Sequence, residues 1–285
     1  MQTSSVAGWK ASAVAVAACL AVACAPTADT VPSVDPRKCA KDVLSTLYPG
    51  IFTVGADRPA YPPWYMGDNP ANGEGFESAL AYAVAAKLQY QPVDVRWVRV
   101  PFNAALAPGP KNFDANLSQF SITEQRRAAV DFSSPYFDVT QGVVTVRSSP
   151  AAAVHSLADL RGLRLGTQVG TTSHTAAVAA AGQAAVEVYN TNVDAKMALV
   201  EGEVDALVAD LPTAFALANE LRDGLIVGQL PPTEGDVEQF GIVLGHDSAL
   251  TRCVSWAVDS LREDGTLARL RQRWLADAGN APVLH

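Results

Sequence analysis

The sequence predicts an α/β protein folded as two lobes, and three observations carry that expectation. From Phe52 onward, short apolar segments alternate with helical ones. A polar and alanine stretch at 148–153 separates this series from a second of the same kind. A closing segment of one strand and two amphipathic helices has no partner of its own, so it is expected to return to the first series.

In the first series, 51–55 reads as a strand, 76–88 as an amphipathic helix, and 93–98 and 113–117 as strands. Residues 141–147, rich in β-branched side chains, form a further strand. In the second series, 157–160 reads as a helical turn, 163–167, 186–189 and 204–208 as strands, and 172–181, 193–201 and 212–221 as helices. The closing segment is a strand at 240–244 followed by helices at 250–263 and 266–277, parted by Asp264-Gly265. The chain therefore divides into 39–145 plus 241–285 as the first lobe and 146–240 as the second. It crosses between them near 144–147 and 237–242, and two crossings make a hinge over a cleft.

The N-terminus carries Lys10 and then a small-residue apolar run from Ala11 to Ala23. The run is too short to span a bilayer and has the proportions of a signal-peptide core, so 1–23 is expected to be removed. Cys24 follows Ala21-Val22-Ala23 and precedes a Pro-containing polar stretch, which makes 24–38 a flexible spacer. This arrangement resembles a bacterial lipoprotein signal with Cys24 lipidated. Cys19, after Val16-Ala17-Ala18, is the second candidate, and cleavage after Ala23 without a lipid is the third reading.

The formal charge of the chain is −8, and losing Lys10 with the leader makes it more negative. That argues against nucleic acid or anionic lipid as partners. Roughly 250 residues remain, enough for two cores. Cys39 and Cys253 can pair in an oxidising compartment, with two buried thiols as the other reading. Such a bridge would stabilise the fold by about 3 to 5 kcal/mol.

Three motifs carry chemistry. The first is Ser118-Gln119-Phe120-Ser121-Ile122-Thr123-Glu124-Gln125-Arg126-Arg127, after Asp114-Ala115 and before Asp131-Phe132-Ser133-Ser134-Pro135-Tyr136. By itself it reads as a Thr123-capped short helix with solvated arginines. The second is Gly166-Thr167-Gln168-Val169-Gly170-Thr171-Thr172-Ser173, a strand turning into a helix whose N-terminus suits an anion. The third, Gly202 to Asp210, delivers a carboxylate to the C-terminal end of a strand, where open α/β sheets bind ligands. Asp210 also suits a helix N-cap before Leu211-Pro212, and Asp205 reads as structural, mirroring Asp114.

In this order and spacing the segments resemble the family 3 extracellular solute-binding proteins, the amino-acid-binding components of ABC importers. The resemblance runs from about Phe52 to Leu275. It implies a type II periplasmic-binding-protein fold with two hinge crossovers and an interlobe cleft. It makes Arg126 and Thr172 the partners of a ligand α-carboxylate, with Ser173 as a weaker one, and Asp210 the acceptor for the α-ammonium. It adds Ser121, Ser118 and Gln119 as hydrogen-bonding groups, Tyr61 and Phe102 as aromatic walls, and Asp57 in the first loop, one residue longer here than the usual pattern. An Asp there suits a cationic side chain; the ligand is read as a polar amino acid.

The resemblance also implies permease subunits of an ABC importer as partners, a monomer, and a place on the outer face of the cytoplasmic membrane through the lipid, or in the periplasm. No cofactor or metal is expected. Metalloprotease, nucleophile-elbow, P-loop and dinucleotide motifs are absent, and the four histidines are scattered. The rival reading is a dehydratase of the same fold, acting on prephenate or arogenate, for which Glu77, Asp57 and Glu124 are the candidate acids.

Overall fold

The alternation of apolar strands and helices yields twelve strands and eight helices in the computed structural model, which describes residues 1–2, 35–232, 237–276 and 281–285. The leader, Cys19, Cys24 and the spacer as far as residue 34 lie outside the described residues.

The first lobe holds β1 (Phe52–Ala56), α1 (Phe76–Lys87), β2 (Val95–Arg99), α2 (Phe102–Leu106), β3 (Ala115–Asn116), α3 (Glu124–Arg127) and β4 (Val130–Phe132). Next come β5 (Phe137–Val139) and β6 (Gln141–Val146). The second lobe continues through β7 (Leu165–Gln168), α4 (Thr172–Ala181), β8 (Val186–Tyr189), α5 (Asn192–Glu201), β9 (Ala206–Asp210), α6 (Leu211–Glu220) and β10 (Gly224–Gln229). The chain then returns through β11 (Glu238–Phe240), β12 (Val243–Gly245), α7 (Thr251–Glu263) and α8 (Thr266–Leu275).

Two five-stranded sheets result, ordered β2-β1-β3-β12-β4 and β10-β6-β9-β7-β8. In the first, β1 runs parallel to β2 and β3, while β12 is antiparallel to β3 and β4. All five residues of β1 are buried, as a strand covered on both faces requires. One face packs against α1, α7 and α8 through Leu80, Val84, Val258 and Leu261, and the other carries Phe102, Phe113 and Phe120. In the second lobe the helices α4, α5 and α6 bury alanines, Ala176, Ala177, Ala195, Ala198 and Ala214, and so approach the sheet closely. Both sheets belong to one compact unit, Val34–His285.

The closing segment does return to the first lobe: β12 joins its sheet and α7 and α8 its core. The strand expected at 240–244 is broken at Gly241 and Ile242 into β11 and β12, because β11 pairs with β5 in a separate two-stranded ladder. That ladder is the hinge. Trp64 packs edge to face against Phe76, Phe137 and Phe240 around it, with ring centroids 5.4 to 5.9 Å apart.

Two boundaries move. β6, which the sequence assigned mostly to the first lobe, hydrogen-bonds to β9 and β10, so the first crossing lies at 137–141 rather than 144–147. The C-terminal residues 281–285, expected with the first lobe, lie on the second. Gln229 N donates to Pro282 O at 2.7 Å, and Leu284 enters the core of that lobe.

Cys39 and Cys253 form a disulfide, with Cα atoms 5.3 Å apart and a sequence separation of 214. It ties the short turn Pro36–Cys39 to α7.

Candidate functional site

The three motifs end at one place because each sits where a strand or a turn meets the gap between the sheets. Thr123 accepts from Arg126 N at 3.2 Å and caps α3, as its sequence suggests, yet Arg126 is half-buried rather than free in solvent. The cap turns the arginine inward, where its Cζ lies 5.5 Å from the centre of the Phe102 ring. Phe102 itself stacks on Phe120 at 4.9 Å, so one face of the expected aromatic wall is already covered. Arg127, on the next position round the turn, is exposed beside Glu124.

In the second lobe Thr171 is the N-cap of α4, accepting from His174 N, and Thr172 opens the first turn. Thr172 Oγ1 lies 3.1 Å from Ser121 Oγ and donates to Glu238 Oε1 at 2.6 Å. Gly170, with φ +77°, makes the turn. A Cβ there would stand 2.1 Å from Asn103 Oδ1 of α2, so a larger residue would have to displace that exposed amide, and the positive φ favours glycine.

Asp210 sits at the N-cap position of α6 but makes no capping bond. Its Oδ1 accepts instead from Gln141 Nε2 at 2.9 Å, and the carboxyl faces the cleft. Burial first, and then the charge of Glu238, push it up to about 8. Burial likewise raises Asp57 to about 6, against hydrogen bonds from the backbones of Arg58 and Phe102. Arg99 stays beside this loop, donating to the Asp57 carbonyl at 2.6 Å. Tyr61 is pushed up to about 12 by burial and the Asp57 charge.

Asp57, Tyr61, Phe102, Ser118, Gln119, Ser121 and Arg126 from the first lobe line one cavity with Thr172 and Asp210 from the second. Ser173 does not. It shares the sheet-facing stripe of α4 with Ala176 and Ala177 and is 5% exposed, because a one-residue step rotates a helix position by about 100°. The cavity also takes Gln168, Thr171, Asn192 and Thr213, which the sequence reading did not single out. Gln168 and Thr171 stand inside the glycine-turn motif, whereas Asn192 and Thr213 carry no local signal beyond opening α5 and α6.

Behind the wall lies Glu77, with no exposed surface. It accepts from Gln119 N at 2.8 Å, from the Gln119 side-chain amide and from the Tyr136 hydroxyl. These bonds hold Gln119 at φ +54°, a conformation a non-glycine residue keeps only when its surroundings impose it. Asp205 and Asp114 are structural as read: one pairs with Arg164 at 2.7 Å, and the other accepts from the backbones of Leu47 and Thr53.

The lobes touch directly. Besides the Ser121–Thr172 pair, Arg126 Nη2 donates to Gly170 O at 3.0 Å and Trp64 Nε1 to Thr213 Oγ1 at 2.9 Å. The enclosed space is about 30 Å³, room for roughly one water.

Two acids, a cationic guanidinium, hydroxyls and aromatic rings thus converge between two lobes joined by a two-stranded hinge. Among curated proteins the chain is 29% identical over 242 residues to an L-arginine-binding protein of Pseudomonas aeruginosa, covering 79% of this chain and 90% of that one. Among solved structures it resembles the arginine-, lysine-, histidine-binding protein of Geobacillus stearothermophilus, with a TM-score of 0.67 and 26% identity over 79% of this chain and 95% of the other. It also resembles an ancestral amino-acid-binding protein described as a precursor of cyclohexadienyl dehydratase, with a TM-score of 0.65 and 28% identity over 79% and 95% of the two chains. Residues 52–277 match the bacterial extracellular solute-binding proteins, family 3, and the chain belongs to that family.

Proposed function

We propose that this protein binds a free cationic amino acid between its lobes and delivers it to an ABC importer, exported and anchored through a lipid on Cys24. The observation that carries the reading is the single cavity that joins Asp57, Arg126, Thr172 and Asp210. An amino acid with a basic side chain offers two cations and one anion. Asp57 and Asp210 supply acceptors for the side chain and the α-ammonium, and Arg126 with Thr172 supplies donors for the α-carboxylate. Tyr61 and Phe102 flank the aliphatic stem, and Ser121, Ser118 and Gln119 complete the polar lining. The relatives named for arginine, lysine and histidine support the cationic choice.

The cavity is too small for such a ligand as it stands, so binding requires the lobes to part about the β5–β11 ladder and close again. Binding without turnover is favoured over dehydration. Of the three candidate acids, the Glu124 side chain is 95% exposed and Glu77 is wholly buried behind Gln119, so Asp57 alone lines the cavity, where the cationic reading uses it as the side-chain acceptor.

A thermal-shift screen over the common amino acids, followed by calorimetry on those that stabilise, tests the proposal. Stabilisation by arginine or lysine above all neutral amino acids is the expected result. A response confined to neutral or acidic amino acids overturns the cationic assignment, and product formed from prephenate overturns the binding role.

A further inference from the structure

Resting on the amino-acid reading above, we propose that Glu238 determines how the cleft discriminates between cations that carry an α-carboxylate and cations that lack one. The geometry places a protein carboxylate where a ligand carboxylate is to be received. Glu238 Oε1 accepts the Thr172 hydroxyl at 2.6 Å, and Oε2 accepts from Gln141 Nε2 at 2.9 Å. The same Gln141 amide reaches Asp210 Oδ1 at 2.9 Å, which binds the two acids into one network.

Arg126 is committed in the same way. Its Nη1 donates to Ser121 O at 2.7 Å and its Nη2 to Gly170 O at 3.0 Å, while Glu238 lies near enough for its charge to act on the guanidinium. Two of the five guanidinium donors and the Thr172 hydroxyl are therefore held by protein acceptors, and the acceptor of the hydroxyl is an anion.

Glu238 reaches Thr172 from the far side of the wall. Arg126 and Thr172 line the inner cavity with Asp57, and they also line an outer recess of about 550 Å³ with Glu238 and Gln141. Glu238 opens β11, where it is paired with Val139 in the hinge ladder, so its backbone is set by the hinge rather than by either wall of the cleft. An entering carboxylate has to take the Thr172 hydroxyl from Glu238 and then stand beside it, and like charges at one donor repel. A cation of the same shape without the carboxylate meets Glu238 as a further counter-charge. Selection here works by an element that disfavours one class of ligand, not by an extra contact to the other.

Arginine and agmatine form a matched pair, sharing the guanidinium and the amine and differing in the carboxylate. Calorimetric Kd values for both are measured on the full chain and on Glu238→Gln, which keeps the side-chain length and removes the charge. The affinity ratio of arginine to agmatine is expected to rise tenfold or more in the variant, and a smaller change overturns the proposal. Circular dichroism checks the fold, and Glu238→Ala, read by the same ratio, replaces the Gln variant if that one does not fold. Binding of both ligands with an unchanged ratio sinks this inference alone, whereas failure of the unaltered chain to bind either ligand sinks the cationic reading with it.

Discussion

Arg126, carried by the first lobe, donates from Nη2 to the carbonyl of Gly170 on the second at 3.0 Å. The residue assigned to a ligand carboxylate is thus also a link between the lobes. Its ring support, Phe102, is held in turn by Phe120. On the proposed function, binding and closure share one side chain.

Arg126→Ala is expected to weaken binding of a cationic amino acid by about 2 to 5 kcal/mol, the usual cost of removing one partner of a desolvated charge pair. The fold should survive, since α3 keeps its Thr123 cap. Calorimetry for affinity and a melting curve for stability separate the two effects; unchanged affinity would exclude Arg126 from the site.

Gly170→Ala should weaken binding through closure rather than through a lost contact. The substitution imposes a strained φ of +77°, at a cost of about 1 to 3 kcal/mol, and displaces the Asn103 amide that faces this turn. Small-angle scattering should show the lobes further apart in the variant. A scattering curve unchanged from the parent would contradict this.

The Cys39–Cys253 bridge closes most of the described chain into one loop. Replacing both cysteines by serine is expected to lower stability by about 3 to 5 kcal/mol in urea unfolding, with the reduced parent behaving like the variant. Affinity should hardly change, because the bridge lies between the Pro36–Cys39 turn and α7, away from the cleft.

Asp57, Glu77 and Asp210 are raised to about 6, 7 and 8, in each case chiefly by burial. A carboxyl that holds its proton more tightly when folded stabilises the protein fully below its unfolded value near 4, and that contribution is lost as pH rises through the folded value. The melting temperature should therefore fall between pH 4 and pH 8, and Asp210→Asn should flatten the upper part of that fall. Groups shifted the other way, such as Asp94 hydrogen-bonded to Lys41 and Asp205 to Arg164, act only as pH falls below about 4. Affinity for a cation should rise over pH 6 to 8, with proton release detectable by calorimetry in buffers of different ionisation enthalpy.

Much of the second lobe was legible in the chain. The helix at 172–181 and the strand at 186–189 coincide with α4 and β8, because a capped run of small residues and a short apolar run between turns each have one low-energy conformation. The shorter elements were not. β4 and β5 went unread and β11 was merged with β12, since strands of three residues show too little alternation to register and exist only through their partners; the six-residue β10 also went unread.

The sequence by itself determined the α/β class and the return of the last strand and helices to the first lobe, which follow from local pattern. It left Cys39 and Cys253 with two readings, and its resemblance to the solute-binding family pointed to most of the residues that line the cleft. Tertiary structure alone decided that the first crossing lies at 137–141, that Ser173 turns away while Thr172 faces the cleft, that Asp210 forgoes its cap, and that Glu77 and Glu238 stand behind the lining. The reason is distance along the chain: Glu238 meets Thr172 across 66 residues and Gln119 meets Glu77 across 42, and no local pattern encodes which carboxylate a distant donor will find.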